Sequence, residues 1–168
     1  MADGSSIASF QFISYKVDNI NLNVINNLGV LASNSILQPY EINFNMGIRN
    51  PSKYLLNEVI HYVGGLKIDL EITDCKKMKI IEGTFAISGL FRLTNYMTPQ
   101  EENNMVQINI PAILLPYLRS TVTTVLSQAG FGSVILPLIN IHEIAQKHPV
   151  EINDFTINEP PKATIDKE

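Results

Sequence analysis

The sequence predicts an α+β domain, a four-stranded antiparallel sheet followed by a long and a short C-terminal helix. Three observations carry this. Period-two alternation of apolar and polar residues recurs between Phe10 and Leu93, broken by turn residues. A helical spacing then takes over, with Leu114, Leu118, Val122, Val125, Leu126 and Ala129 on one side. Strands first and helices last is the order of a meander with helices laid on one face.

Residues 1–9 are small and polar and read as a flexible N-terminus. The first strand changes phase twice. Phe10 and Phe12 share one side, Ile13, Tyr15 and Val17 the other, and Ile20, Leu22 and Val24 return to the first. Such switches predict a long strand with a bulge or bend near Asp18-Asn19. Residues 26–38 read as a loop with a short apolar element. Tyr40, Ile42, Phe44, Met46 and Ile48 then alternate with Glu41, Asn43, Asn45 and Gly47, which gives a strand from Pro39 to Ile48 with one dry face.

Arg49-Asn50-Pro51-Ser52 is turn chemistry. The third strand sets Tyr62, Leu66, Ile68, Leu70 and Ile72 against Lys67, Asp69, Glu71 and Thr73, and Gly64-Gly65 predicts a bulge or a close backbone approach. Asp74 to Lys79 reads as a hairpin turn. In the fourth strand, Ile80 to Leu93, one side carries Ile81, Phe85, Ile87, Phe91 and Leu93, and the other adds Ile80, Ala86 and Leu90. A strand apolar on both sides calls for cover on both. The helices cover one face, so the other is left in want of a partner.

Residues 94–108 read as a polar loop. Asn109 is placed to cap the long helix, Pro111 suits its first turn, and Gly130 supplies a left-handed stop. Pro116 would cost about 3 kcal/mol in a helix interior, so the regular helix is expected to begin near it or to kink there. An extended apolar link and a short second helix follow. Residues 10–146 thus form a single domain, and 147–168, which lose periodicity, read as a mobile tail.

Composition narrows the function. Hydrophobic residues are 45% and charged residues 17% of 168, against roughly 25% charged in soluble domains. The excess reads either as a well-filled core or as apolar surface covered by another subunit or a ligand. With net charge −4 and only Lys76, Lys77 and Lys79 clustered, nucleic-acid binding has no basic face to use. The single Cys75 rules out an internal disulfide framework and suits a reducing compartment. No charged and apolar leader precedes Phe10, and no apolar run approaches the ~20 residues that span a bilayer. The expected location is cytoplasmic.

No catalytic set emerges. His61, His142 and His148 stand at no metal-ligand spacing with Cys, Asp or Glu. Cys75 follows Asp74, and a neighbouring carboxylate does not favour a thiolate. Gly130-Phe-Gly132 follows a helix, whereas a phosphate loop precedes one. Glu101-Glu102 lies in the predicted loop, with nothing apolar to raise a pKa, and Glu82 reads as a solvated position. The expectation is a protein that is not an enzyme and holds no metal or cofactor. Phe85, Ile87 and Phe91 read equally as core beneath the helix and as a lining for extended, unfolded chains. A lining of that kind would gain roughly 25 cal/mol per Å² of apolar surface without selecting a sequence.

The segment LLPYLRSTVTTVLSQAGFGSVILPLINIHEI resembles the corresponding part of the SecB-type export chaperones, through Leu115, Pro116, Tyr117, Arg119, Gly130, Pro137, Ile139 and Asn140. The order of elements agrees from about Phe10 to Gln146. The resemblance implies a SecB-like fold and a homotetramer built as a dimer of dimers. In it the long helix, with Leu114, Leu118, Val122, Val125 and Leu126, lies between sheets. It implies an ATP-independent holdase that keeps precursor polypeptides unfolded in apolar grooves for a secretion motor ATPase. The groove strand maps to Gly83, Phe85, Ile87, Leu90 and Phe91. The acidic positions by which the family meets its motor fall here on Asn19, Asn23 and Thr84, and the tail is mixed in charge. Some relatives instead protect the antitoxin of a toxin–antitoxin pair, which needs the grooves and not those acids. A small-ligand binding protein using the same apolar cavity is a third reading.

Overall fold

The computed structural model describes residues 10–26, 40–131 and 135–156. Strands β1 (Phe10–Val24), β2 (Tyr40–Leu56), β3 (Val59–Asp74) and β4 (Lys79–Leu93) are followed by α1 (Pro99–Asn104), a π turn (Met105–Asn109), α2 (Ile110–Gln128), α3 (Ile141–Lys147) and a short β5 (Asn153–Asp154). The sheet order is β1-β4-β3-β2-β5, antiparallel except for the parallel β2/β5 pair. The α+β class with helices on one face is the one the residue pattern predicts, but the strand order is not the expected meander: β2, β3 and β4 follow one another, while β1 crosses over to pair with β4 instead of β2. The residue 26–38 loop lies outside the described residues beyond Asn26.

The two phase switches of β1 are two bulges, between Phe12 and Ser14 and between Val17 and Asn19. Each extra residue returns the apolar set to the helix side, so Phe12, Val17 and Ile20 oppose Phe91, Ile87 and Phe85. Arg49-Asn50-Pro51-Ser52 is not a turn. It is a third irregularity inside β2, and the chain reverses later, at Asn57 and Glu58, both with positive φ (49° and 63°). A two-residue reversal favours Asn-Gly, which Asn-Glu only half supplies. The Arg49 side chain uses the bulge to cross Gly65, which has no Cβ to block it. It donates to Asp18 (2.7 Å) and to Ser88 (3.2 Å), and Ser88 donates to Asp18. Burial alone would raise the Asp18 carboxyl, but Ser88, Lys16 and Arg49 together hold it below its ordinary range.

Residues 94–108 are mostly helix rather than loop. Thr98 and Glu101 form a capping box around Pro99: the Glu101 N–H donates to the Thr98 hydroxyl (3.3 Å) and the Thr98 N–H to the Glu101 carboxylate (2.8 Å). The Thr98 N–H and then the Thr98 hydroxyl, which donates to the same carboxylate at 2.7 Å, hold the Glu101 carboxyl below its ordinary range. Asn109 therefore makes no side-chain cap, since the helix is already running. The π turn brings Met105 and Ile110, five apart, onto one buried face. Nor does the helix begin at Pro116. It passes through, because Pro116 and Ala112, whose carbonyl it leaves unpaired, are both on the exposed side. Pro99–Gln128 is thus a continuous 30-residue helix that by length and composition could cross a membrane, contrary to expectation; its apolar face is packed on the sheet.

Gly64 and Gly89, paired across β3 and β4, seat that face. A Cβ on Gly64 would stand 2.5 Å from Ile110 Cγ2, and one on Gly89 2.6 Å from Leu114 Cδ2. The expected close approach is therefore met, by the helix rather than by a bulge in β3. Gly130, at φ 84°, ends the helix as expected. The outer sheet face is less apolar than expected. Ile80 is an extra residue in the β3/β4 register and is buried with the core, which leaves Ala86 and half-buried Leu90. The segment after 147 is not loose throughout. Val150 is buried, Ile152 packs against the core, and β5 joins the edge of β2.

Candidate functional site: an apolar groove beside β2

The side chains read from sequence as a groove or an interface are, within the chain, mostly core. Phe85, Ile87 and Phe91 are 0% exposed, and so are Leu114, Leu118, Val122 and Leu126 above them. Sheet and helix cover one another completely here. Of these two sets only Gly83, Leu90 and Val125 remain half-buried.

Exposed apolar surface lies in two other places. The first is the link between α2 and α3. Leu136 is buried and pins the link to the core, while Ile135 is 78% and Leu138 95% exposed. Arg119 fixes that posture, donating to the carbonyls of Leu136 (2.6 Å) and Pro137 (3.3 Å). Asn140 ends the link by capping α3, accepting from the His142 N–H at 3.1 Å. The arginine, the proline and the asparagine of the recognised segment thus act together. They hold the strip in place with Leu136 inward and Ile135 and Leu138 outward.

Tyr40, Ile42, Ile135 and Pro137 line a hollow of about 500 Å³ between this strip and the start of β2. Tyr40 is held edge-on to Phe131 at 5.0 Å. Among the described residues the edge of β2 is paired only at Ser52 and Lys53, and none of them pairs with the Tyr40–Arg49 backbone beside the hollow. Tyr40 and Ile42 were legible as strand residues but not as site residues. Ile135 and Leu138 carried a usable signal, an apolar run around Pro137 that belongs to no helix or strand.

The second surface is the outer strand. Tyr15, Val17 and Ile20 are each more than two-fifths exposed on the helix side of β1. Tyr117 of α2 packs at their end, 4.4 Å from Tyr15 and 5.3 Å from Phe12.

The titratable groups form braces. The Tyr62 hydroxyl donates to Glu102, which also meets Lys53 at 2.7 Å. Burial, and then the Glu102 carboxylate, push the phenol well above its ordinary value. This cluster ties α1 to β2 and β3. On the outer face Lys79 bridges Glu71 (2.8 Å) and Glu82 (3.5 Å), Thr84 donates to Asp69 (2.6 Å), and Asn23 donates to Glu82 (3.3 Å). Among the described residues no group of His, Cys, Asp and Glu is placed to hold a metal.

These features define an α+β domain that presents apolar side chains beside strand edges that have no pairing partner among the described residues. A family model described as "Preprotein translocase subunit SecB" matches residues 17–151, and the chain belongs to the SecB family. Protein-export protein SecB of Thiobacillus denitrificans is 35% identical over 94 residues, 55% of this chain and 59% of that protein. The Orientia tsutsugamushi protein is 26% identical over 108 residues, 64% of this chain and 62% of its own length. The matches thus span about three-fifths of these relatives. In fold, the chain is similar to the Mycobacterium tuberculosis SecB-like chaperone solved with a ChAD peptide from the HigA1 antitoxin. The TM-score is 0.57 at 14% identity, over 77% of this chain and 90% of that one.

Proposed function

We propose that the chain is an ATP-independent holdase that keeps unfolded polypeptides from aggregating, in the cytoplasm and in the service of protein export. The observation that carries this is the posture of the 135–140 link. Leu138 and Ile135 are 95% and 78% exposed, held outward by a buried neighbour and an arginine clamp. Apolar side chains held in water by specific contacts mark a binding surface. The hollow beside them is open, as an extended guest needs. Burying a Leu or Ile there is worth about 1.5–3 kcal/mol, whatever the rest of the guest's sequence. The β1 strip of Tyr15, Val17 and Ile20 supports assembly with further copies, toward a dimer of dimers.

The test is light scattering of a reduced, aggregating protein without nucleotide. The chain should suppress the signal, and Ile135→Asp with Leu138→Asp should lose that suppression while circular dichroism stays unchanged. Full suppression by the double variant would refute the site.

The outer face favours a second reading, a chaperone dedicated to an antitoxin. Asn19, Asn23 and Thr84 replace the acids expected at a motor contact, and the carboxylates nearby are met by Lys67 and Lys79. The similar mycobacterial chaperone was solved with an antitoxin peptide. Calorimetry against a purified secretion motor ATPase separates the two. Binding supports export, and its absence supports the antitoxin reading.

A further inference from the structure

The groove at Tyr40 and the short strand β5 share one edge of β2, at opposite ends. Beyond Arg49 that edge is taken by the chain itself. Ser52 and Lys53 pair in parallel with Asn153 and Asp154, and the Phe155 N–H donates to the Lys53 carbonyl at 2.9 Å. The Phe155 ring stacks on Tyr54, centroids 5.3 Å apart and planes 12° from parallel. We infer that the Ser52–Leu56 edge is a second docking site for an extended polypeptide carrying an aromatic side chain, occupied in the free protein by the chain's own Asn153–Phe155. This rests on the polypeptide-binding reading above.

Three observations argue that β5 is a placeholder and not a permanent strand. Its pairing is short, two residues in register, and a two-residue ladder gains little against the entropy of ordering it. Its ionic tie is loose: Lys53 stands 3.9 Å from Asp154 but 2.7 Å from Glu102, so the lysine keeps its better partner when β5 leaves. Its base is anchored separately by buried Val150 and by Ile152, so Asn153–Phe155 can lift without disturbing α3. Lifting exposes Tyr54 beside Leu55 and Leu56, already 48% and 43% exposed, together with unpaired backbone. An aromatic-bearing extended chain entering in parallel meets the chemistry that Phe155 satisfies now.

The experiment locks and frees the strand in the full chain. Ser52→Cys with Asn153→Cys, a pair in register across the ladder, in a Cys75→Ser background because Cys75 is an exposed thiol, places a disulfide across the two strands and leaves Tyr54 in place. Phe155→Ser removes the stack. The probe is fluorescently labelled, reduced and carboxymethylated lactalbumin, which stays unfolded and has no thiol to exchange. Fluorescence anisotropy should show about tenfold weaker binding for the oxidised lock, restored by reductant, and about threefold tighter binding for Phe155→Ser, since an occupied site lowers apparent affinity by the fraction free. Equal affinity of the locked, reduced and Phe155→Ser forms would overturn the inference while leaving the groove intact. If the unmodified chain and the reduced lock both ignore the probe, the polypeptide-binding reading fails instead.

Discussion

Replacing Gly89 by Ala tests how the long helix is seated. The new Cβ would stand 2.6 Å from Leu114 Cδ2 and 2.9 Å from Phe91 Cε2. Carbon atoms at rest approach to about 3.5–4.0 Å, so α2 must lift by about 1 Å or Leu114 must leave its rotamer. Overpacking of that kind costs about 1–3 kcal/mol, and the loss of a glycine from the unfolded chain returns about 0.4–1 kcal/mol. The net is about 1–2 kcal/mol. At about 2–4 °C per kcal/mol for a chain of this size, Tm should fall by about 2–8 °C in calorimetry at a fixed protein concentration. Gly64→Ala meets Ile110 Cγ2 at 2.5 Å and should act alike. One lift of the helix accommodates both methyls, so the double variant should lose less than the sum. An unchanged Tm, or strict additivity, would refute the glycine seat.

Removing the clamp with Arg119→Ala loses two charge-assisted bonds to backbone carbonyls. It should cost about 2 kcal/mol and speed amide exchange at 135–139 well beyond the rest of the fold. Phe85→Asp puts a charge at a site with 0% exposure and should unfold the chain, whereas Leu138→Asp should stay within about 0.5 kcal/mol of the parent; urea melts separate the two. Asp18 titrates lower when folded than when unfolded. Its contribution is therefore present above the ordinary carboxylate pKa of about 3.9 and is lost as pH falls through the lower folded value. Asp18→Asn should flatten the acid limb of stability below pH ~4 without changing its slope near neutrality, as read from denaturant melts across pH.

The sheet and the helix face were legible because their periods are simple. The phase switches even located the β1 bulge between Val17 and Asn19, though not the one between Phe12 and Ser14, since one extra residue reverses every side chain after it. Other features misled for local reasons. Asn50-Pro51 carries turn chemistry, but Gly65 opposite lets the strand continue with Arg49 crossing over. The box formed by Thr98 and Glu101 was readable at the start of α1, yet its polar first turn resembled a loop. The site was harder. Apolar residues on a strand do not say whether a helix of the same chain covers them, and Phe85 and Ile87 are covered. Ile135 and Leu138 are exposed only because Leu136 is pinned and Arg119 reaches across from α2, a contact between residues seventeen apart. The strand formed by Asn153 and Asp154 had no periodic signal, because two residues cannot carry one.

The most direct measurement is hydrogen–deuterium exchange of the chain with and without saturating carboxymethylated lactalbumin. Protection gained at Tyr40–Ile48 and at 135–139, with the β4 core unchanged, is the expected outcome. No protection at either segment, or protection confined to the outer sheet face, would contradict a guest-binding groove beside β2.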